Sequence, residues 1–144
     1  MVASVGGWLA YVYLWRDAGG RPLRYVDLTS RLHVQPTYDF VRRFSSNRTL
    51  ADYVHRNAIG AARVPRIDWT RDEAVLISSG PRSSTAYTLR VLHATDENGR
   101  IVIVVREASP ALRNPGRPQL TYPYRFLVFE RTSKPIVVEW QGRP

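Results

Sequence analysis

The chain contains no cysteine among its 144 residues. This absence excludes disulfide bridges, zinc–thiolate sites and catalytic thiols. It leaves the cellular compartment open, because many secreted proteins also lack disulfides.

Lysine is nearly absent as well, since Lys134 is the only lysine among 21 basic residues. With 12 acidic residues the net charge is +9, which favours binding to nucleic acid or another polyanion. The arginines are spread almost evenly along the chain, however, and Arg42-Arg43 is the only adjacent pair. Because nucleic-acid-binding proteins usually concentrate their charge on one face, we interpret this pattern as a solvated surface. Polyanion binding stays as the alternative function.

Catalytic motifs are missing too. There is no nucleophile elbow, P-loop or dinucleotide fingerprint, and the acidic residues are not paired for acid–base work. The three histidines, His33, His55 and His93, have no metal-ligand spacing. A triad of Ser83, His93 and Asp96 can be drawn, but many small proteins would allow as much. We therefore predict a protein that is not an enzyme and that binds no metal and no cofactor.

Residues 2–15 (VASVGGWLAYVYLW) form an uncharged apolar run. As a helix this run would span about 21 Å, less than the roughly 30 Å of a bilayer core. One interpretation is a signal or membrane anchor whose start lies upstream, which would place the protein outside the cytoplasm. The other is a strand over Trp8–Trp15 that turns and pairs with residues 23–28, as in a cytoplasmic protein. We prefer the anchor, although arginines that follow the run oppose that orientation under the positive-inside rule.

The rest of the chain, residues 21–144, has the length and pattern of a single β-rich domain. A helix is predicted over residues 46–58, where Ser46 or Asn47 can cap it and Gly60 can end it. Strands are predicted at residues 40–43, 74–79, 87–94, 100–106, 125–131 and 136–140. The expected class is mainly β (α+β), a small antiparallel β-sandwich or partly open barrel with one short helix.

Two hairpins are predicted among these strands. Asn98-Gly99 is a hairpin turn sequence because both residues tolerate positive φ, and residues 132–135 are expected to form a second hairpin turn. Strands that run up and down in this way place residues 80–86 and 107–123 at the same end of the sheet. Four prolines stiffen the longer loop, so we predict a semi-rigid surface there.

Several motifs in this order resemble the C-terminal domain of the PrcB family, the protease-complex subunit and its bacterial relatives. The matching segments are Asp68-Trp69, residues 75–77, the turn at residues 80–87, residues 106–110 and residues 120–124. Thr85 and Ala86 replace two glycines of the family's turn, which puts a binding role of that turn in question. The resemblance implies an extracytoplasmic, non-enzymatic domain that assists the assembly or stability of a protease complex.

The predicted function is therefore protein binding through the two loops, with a protease or its complex as the expected partner. Membrane contact is expected only through residues 2–15, and the oligomeric state is open. The predicted contact residues lie in both loops: Arg82, Ser83, Ser84, Thr85, Arg113, Arg117 and Tyr122.

Overall fold

The computed structural model describes residues 20–142. This part of the chain forms eight strands and one α-helix: β1 (Arg21–Pro22), β2 (Tyr25–Asp27), β3 (Asp39–Phe44), α1 (Asn47–Asn57), β4 (Asp72–Ser79), β5 (Thr88–Glu97), β6 (Arg100–Ala108), β7 (Tyr124–Glu130) and β8 (Ile136–Gln141). A single 3-10 turn at Thr29–Arg31 follows β2. The anchor interpretation of residues 2–15 concerns residues outside the described part.

The strands form two four-stranded sheets. Sheet A has the order β1-β5-β6-β8, and sheet B has the order β2-β7-β4-β3. Within sheet B all neighbours are antiparallel. The predicted mainly-β sandwich with one short helix is confirmed, and the described strands do not close into a barrel.

Two hydrophobic clusters hold the layers together. One lies between the sheets and includes Ile77, Ile103 and Leu127. The other lies on the opposite face of sheet B, where α1 and the segment after the 3-10 turn cover Leu76 and Phe126. Sheet B is therefore the middle layer, and residues 73–79 of β4 are all buried. This double burial explains why β4 reads as a continuous apolar run instead of an alternating one.

Helix α1 forms where the sequence predicts it. The Ser46 side chain accepts a hydrogen bond from the Thr49 backbone N–H at 3.3 Å, and the buried face carries Leu50, Tyr53 and Val54. The helix ends at Asn57, three residues before Gly60, which has a φ of +72°. None of the described residues belongs to a helix that is long and apolar enough to cross a membrane.

The second predicted hairpin is wrong. β8 does not pair with β7 but lies parallel to β6 in the other sheet. Residues 132–135 cross between the sheets, and Lys134 Nζ contacts Asp96 Oδ1 at 2.5 Å on the β5–β6 hairpin. Consecutive strands are usually but not always neighbours. Here β2 and β4 occupy both sides of β7, whereas β6 has a side open to β8.

The β5–β6 hairpin around Asn98-Gly99 is confirmed, but it contains a bulge between Val91 and His93. Strict alternation would place His93 on the same face as Leu89 and Val91. The extra residue shifts the register, so His93 lies opposite Val104, on the face of sheet A that points away from sheet B, and is itself exposed.

The short strand β2 lies within residues 23–28, the segment expected to pair with residues 8–15 in the hairpin alternative, and β1 lies just before that segment. β1 pairs with β5, and β2 pairs with β7. Whether residues 8–15 also pair here concerns residues outside the described part.

Candidate functional site

The loops at residues 80–86 and 107–123, the two-loop surface, lie at one end of the sandwich as predicted. The wrong prediction of a β7–β8 hairpin does not affect this placement, because β4 and β7 are antiparallel neighbours irrespective of the position of β8. Arg82 and Thr121 exchange backbone hydrogen bonds of 2.8 Å in both directions, and the Thr85 N–H donates to the Arg117 carbonyl at 3.1 Å. The loops therefore form one hydrogen-bonded unit.

Ser84 and Thr85 hold this unit together from within. Ser84 is buried, and its hydroxyl donates to the Pro115 carbonyl at 2.7 Å. The Thr85 hydroxyl accepts from the Arg117 N–H at 2.8 Å. Both residues were predicted as partner contacts, and the structure places their hydroxyl groups in bonds between the loops.

Arg82 has a comparable position. Its Nε and Nη2 both donate to Glu107 Oε1, at 2.9 and 2.8 Å, and only 22% of its side chain is exposed. Its guanidinium carbon also lies 5.8 Å from the centre of the Tyr87 ring. The Glu107 side chain is fully buried. Arg82 thus neutralises an interior carboxylate at the base of the two-loop surface.

Gly116 allows the two loops to approach each other closely. Its φ is +68°, and a Cβ placed on it would lie 2.5 Å from the backbone nitrogen of Ala86. In the described residues no amino acid other than glycine has a positive φ, so Thr85 and Ala86 need no glycine-like conformation. The close approach of the loops therefore depends on Gly116 and requires no glycine at residue 85 or 86.

The outward part of the two-loop surface is a tight turn. Ala111 and Asn114 exchange backbone hydrogen bonds of 3.1 and 2.9 Å, which places Leu112 and Arg113 at the tip. Leu112 is fully exposed (103%). Sequence reasoning missed Leu112, although an apolar residue in a loop framed by Pro110 and by Pro115 was a usable signal.

The remaining predicted contacts differ in exposure. Arg113, Arg117 and Ser83 are exposed, whereas Tyr122 is partly buried. The neighbouring Tyr124 donates its hydroxyl to the Leu32 carbonyl and packs on the core. Burial raises the pKa of Tyr124 above its ordinary value. Tyr124 is therefore part of the core.

The motif Asp68-Trp69 forms the turn before β4. Asp68 Oδ1 accepts hydrogen bonds from the Thr70 backbone N–H at 3.2 Å and from its hydroxyl at 2.6 Å. These bonds lower the pKa of Asp68. Trp69 packs against the cluster under α1. This motif is accounted for by local structure.

The exposed arginines of the described residues lie in every layer. They occur on α1 and the loop after it, on β3 of sheet B, on both long strands of sheet A, and near β1 and β2, and they include Arg48, Arg56, Arg63, Arg66, Arg42, Arg90, Arg100, Arg106, Arg21 and Arg24. Such a distribution favours a solvated surface over one polyanion-binding face.

The fold and the two-loop surface together define a small two-sheet β-domain with a stiff loop platform at one end. Residues 74–130 match the family model described as PrcB C-terminal. The match runs from β4 to β7 and contains the whole two-loop surface, so the resemblance drawn from the motifs is confirmed over these residues. No curated protein and no solved structure matches the chain.

Proposed function

We propose that this protein is a non-enzymatic interaction module that binds another protein through the two-loop surface and assists the assembly or stability of a protease complex. One observation carries the proposal: the two loops are hydrogen-bonded into one unit whose tip exposes Leu112 beside Arg113. A partner that covers Leu112 would gain the burial of its apolar side chain, at little conformational cost because the turn is already formed.

The stiffness of the loops supports the same role. Prolines 110, 115, 118 and 123 restrict the backbone, and the hydrogen bonds of Ser84 and Thr85 fasten the base. A preorganised loop loses little conformational entropy on binding, so more of the contact energy is kept as affinity. The protease-related partner is drawn from the family match alone.

The test is affinity purification with the full chain from cells of the organism that encodes it. The variant carries Leu112→Ser, Arg113→Ala and Arg117→Ala and keeps Arg82, because loss of Arg82 would leave Glu107 unpaired. A matched control carries Arg48→Ala and Arg63→Ala, two exposed arginines far along the chain. We expect a protease-containing complex with the wild type and the control, and its loss with the variant.

Equal recovery by the variant would remove the two-loop surface from the proposal. Recovery of partners that never include a protease or its subunits would overturn the protease part and leave the binding role.

We propose further that the protein acts outside the cytoplasm, through an anchor in residues 2–15. Truncation of residues 1–19 tests this, because it leaves β1 and the rest of the described fold complete. An unchanged unfolding midpoint, with release of the truncated protein from the membrane fraction, is the expected result. A large loss of stability would show instead that the segment is a strand of the fold.

A further inference from the structure

β3 is an edge strand of sheet B, and among the described residues its strand partner is β4 alone. The direction of its backbone groups follows from the register. The Ser79 N–H donates to Pro123 at 3.0 Å on the β7 side, and Ser79 lies opposite Asp39. Because backbone groups alternate in direction along an antiparallel strand, the N–H and C=O groups of Val41 and Arg43 point away from β4.

A groove runs beside this edge, between β3 and α1. It is a cavity of about 340 Å³ with Tyr38 and Arg42 on the strand side. Its helix side carries Asp52, Tyr53 and Arg56. The guanidinium carbon of Arg42 lies 5.5 Å from the centre of the Tyr53 ring, which holds this cation beside the groove.

A second cavity, of about 470 Å³, continues from Tyr38 into the two-loop surface, where Gly80, Pro81 and Arg82 line it. The buried hydroxyl of Tyr53, in the lining of the first cavity, lacks a hydrogen-bond partner. Tyr53 is 5% exposed. Buried hydroxyls are normally satisfied, so an unsatisfied one beside the first cavity points to a ligand there.

We propose that β3 and α1 form a docking groove in which an extended, acidic segment of a partner protein adds as a strand beside β3. Strand addition uses outward backbone groups at an edge, and a neighbouring helix commonly forms the other wall. In the first cavity Arg42 and Arg56 exceed the single acid, Asp52, so this cavity favours an incoming carboxylate. β3 and the first cavity share no residue with the two-loop surface, so the proposal does not depend on the proposed function.

The charges also distinguish this occupant from a second copy of the chain. Pairing two β3 edges would bring two Arg42-Arg43 pairs together, and like charges facing each other across a sheet are destabilising. An acidic segment would meet the same arginines favourably.

The probe is a library of random peptides displayed on phage and selected on the full-length protein. The most enriched peptide is then synthesised, together with a copy in which each Asp and Glu is replaced by its amide. We expect an acidic, extended peptide whose binding slows hydrogen exchange at the Val41 and Arg43 amides. The amide copy should bind at least about tenfold more weakly.

Val41→Pro is the decisive variant, because proline removes an outward N–H without breaking a bond to β4. Val41→Thr keeps that N–H and is its matched control. We expect Val41→Pro to raise the Kd by at least about tenfold and Val41→Thr to leave it within about twofold. If Val41→Pro fails to fold, the exchange measurement on the wild-type protein decides the question.

Three results would overturn the proposal. The first is a selected peptide that binds Val41→Pro as tightly as the wild type, or that slows hydrogen exchange only in residues 80–86 and 107–123. The second is equal affinity for the acidic peptide and its amide copy. The third is a dimer of the wild type in sedimentation that Val41→Pro abolishes, which would make a second copy the occupant. Failure here leaves the test of the two-loop surface intact, since that test changes none of these residues.

Discussion

Arg82 donates two hydrogen bonds to one oxygen of Glu107, Oε1, and the buried Oε2 of the same carboxylate has no hydrogen-bond partner. The pair joins the first loop of the two-loop surface to the end of β6. Arg82 is therefore the counterion of a buried carboxylate, and only 22% of its side chain is exposed at the surface.

We therefore expect Arg82→Ala to destabilise the fold by about 3 kcal/mol or more, because it leaves a buried carboxylate without its cation. Arg113→Ala, which removes an exposed arginine from the tip of the other loop, should change stability by less than about 0.5 kcal/mol. Urea unfolding of both variants measures the difference. Equal midpoints would show that Arg82 contributes little to folding, and Arg82 would then return as a candidate contact.

The elements that sequence patterns predicted well are those defined by local chemistry. The Ser46 cap, the helical spacing of Leu50 and Tyr53, and the Asn98-Gly99 turn each act within a few residues. The co-location of the two loops was also predictable, since it needs only β4 and β7 to be antiparallel.

The errors arose where distant contacts decide the outcome. β8 joins sheet A because residues 132–135 are held across both sheets. Arg43 donates to the carbonyls of Thr132 and Lys134, and Lys134 Nζ donates to the Glu97 carbonyl at 3.1 Å. No spacing within residues 132–135 encodes those partners. The bulge at Val91 and His93 is likewise a property of the β5–β6 pair.

The candidate site was only partly predictable for the same reason. The sequence indicated which loops meet, but the inward roles of Arg82 and Ser84 depend on Glu107 and Pro115, which lie 25 and 31 residues further along the chain. The groove beside β3 left no motif, because it consists of one strand edge and one helix face.

Tyr53 and Tyr124 offer a paired test of buried hydroxyls. Tyr124 donates to Leu32, whereas the buried hydroxyl of Tyr53 lacks a partner. We expect Tyr124→Phe to lower the free energy of unfolding by about 1 kcal/mol. Tyr53→Phe should leave it unchanged or raise it by up to about 1 kcal/mol, because no hydrogen bond is lost. Chemical denaturation at neutral pH compares them, and a larger loss for Tyr53→Phe would contradict the assignment.

Stability should also fall in alkaline solution because of Tyr53. Burial is the main cause that raises its pKa from 10.0 to about 12. Between these values the unfolded chain has released the proton and the folded chain retains it, so rising pH favours unfolding. The loss should approach about 2 kcal/mol by pH 12 and be absent below pH 10. Denaturation curves of the wild type and Tyr53→Phe at pH 9 and pH 11.5 measure it, and an equal decline in both proteins would exclude Tyr53 as the cause.

Gly116→Ala tests whether the close approach of the two loops is needed for their stiffness. A methyl group there would collide with the Ala86 backbone nitrogen and the Ser84 hydroxyl oxygen, each 2.5 Å away, in addition to the strain of a φ of +68°. Gly60→Ala is the matched control, since its φ of +72° is similar and nothing lies within 4 Å of the added carbon. The free energy of unfolding should fall by about 1 kcal/mol in the control, from backbone strain alone, and by about 1–3 kcal/mol more in Gly116→Ala, from overpacking.

Hydrogen exchange at the Thr85 and Arg117 amides should accelerate only in Gly116→Ala, because those amides join the loops. Equal losses in both variants with unchanged exchange would mean that the loops tolerate separation, and the stiffness on which the proposed binding role depends would then be absent.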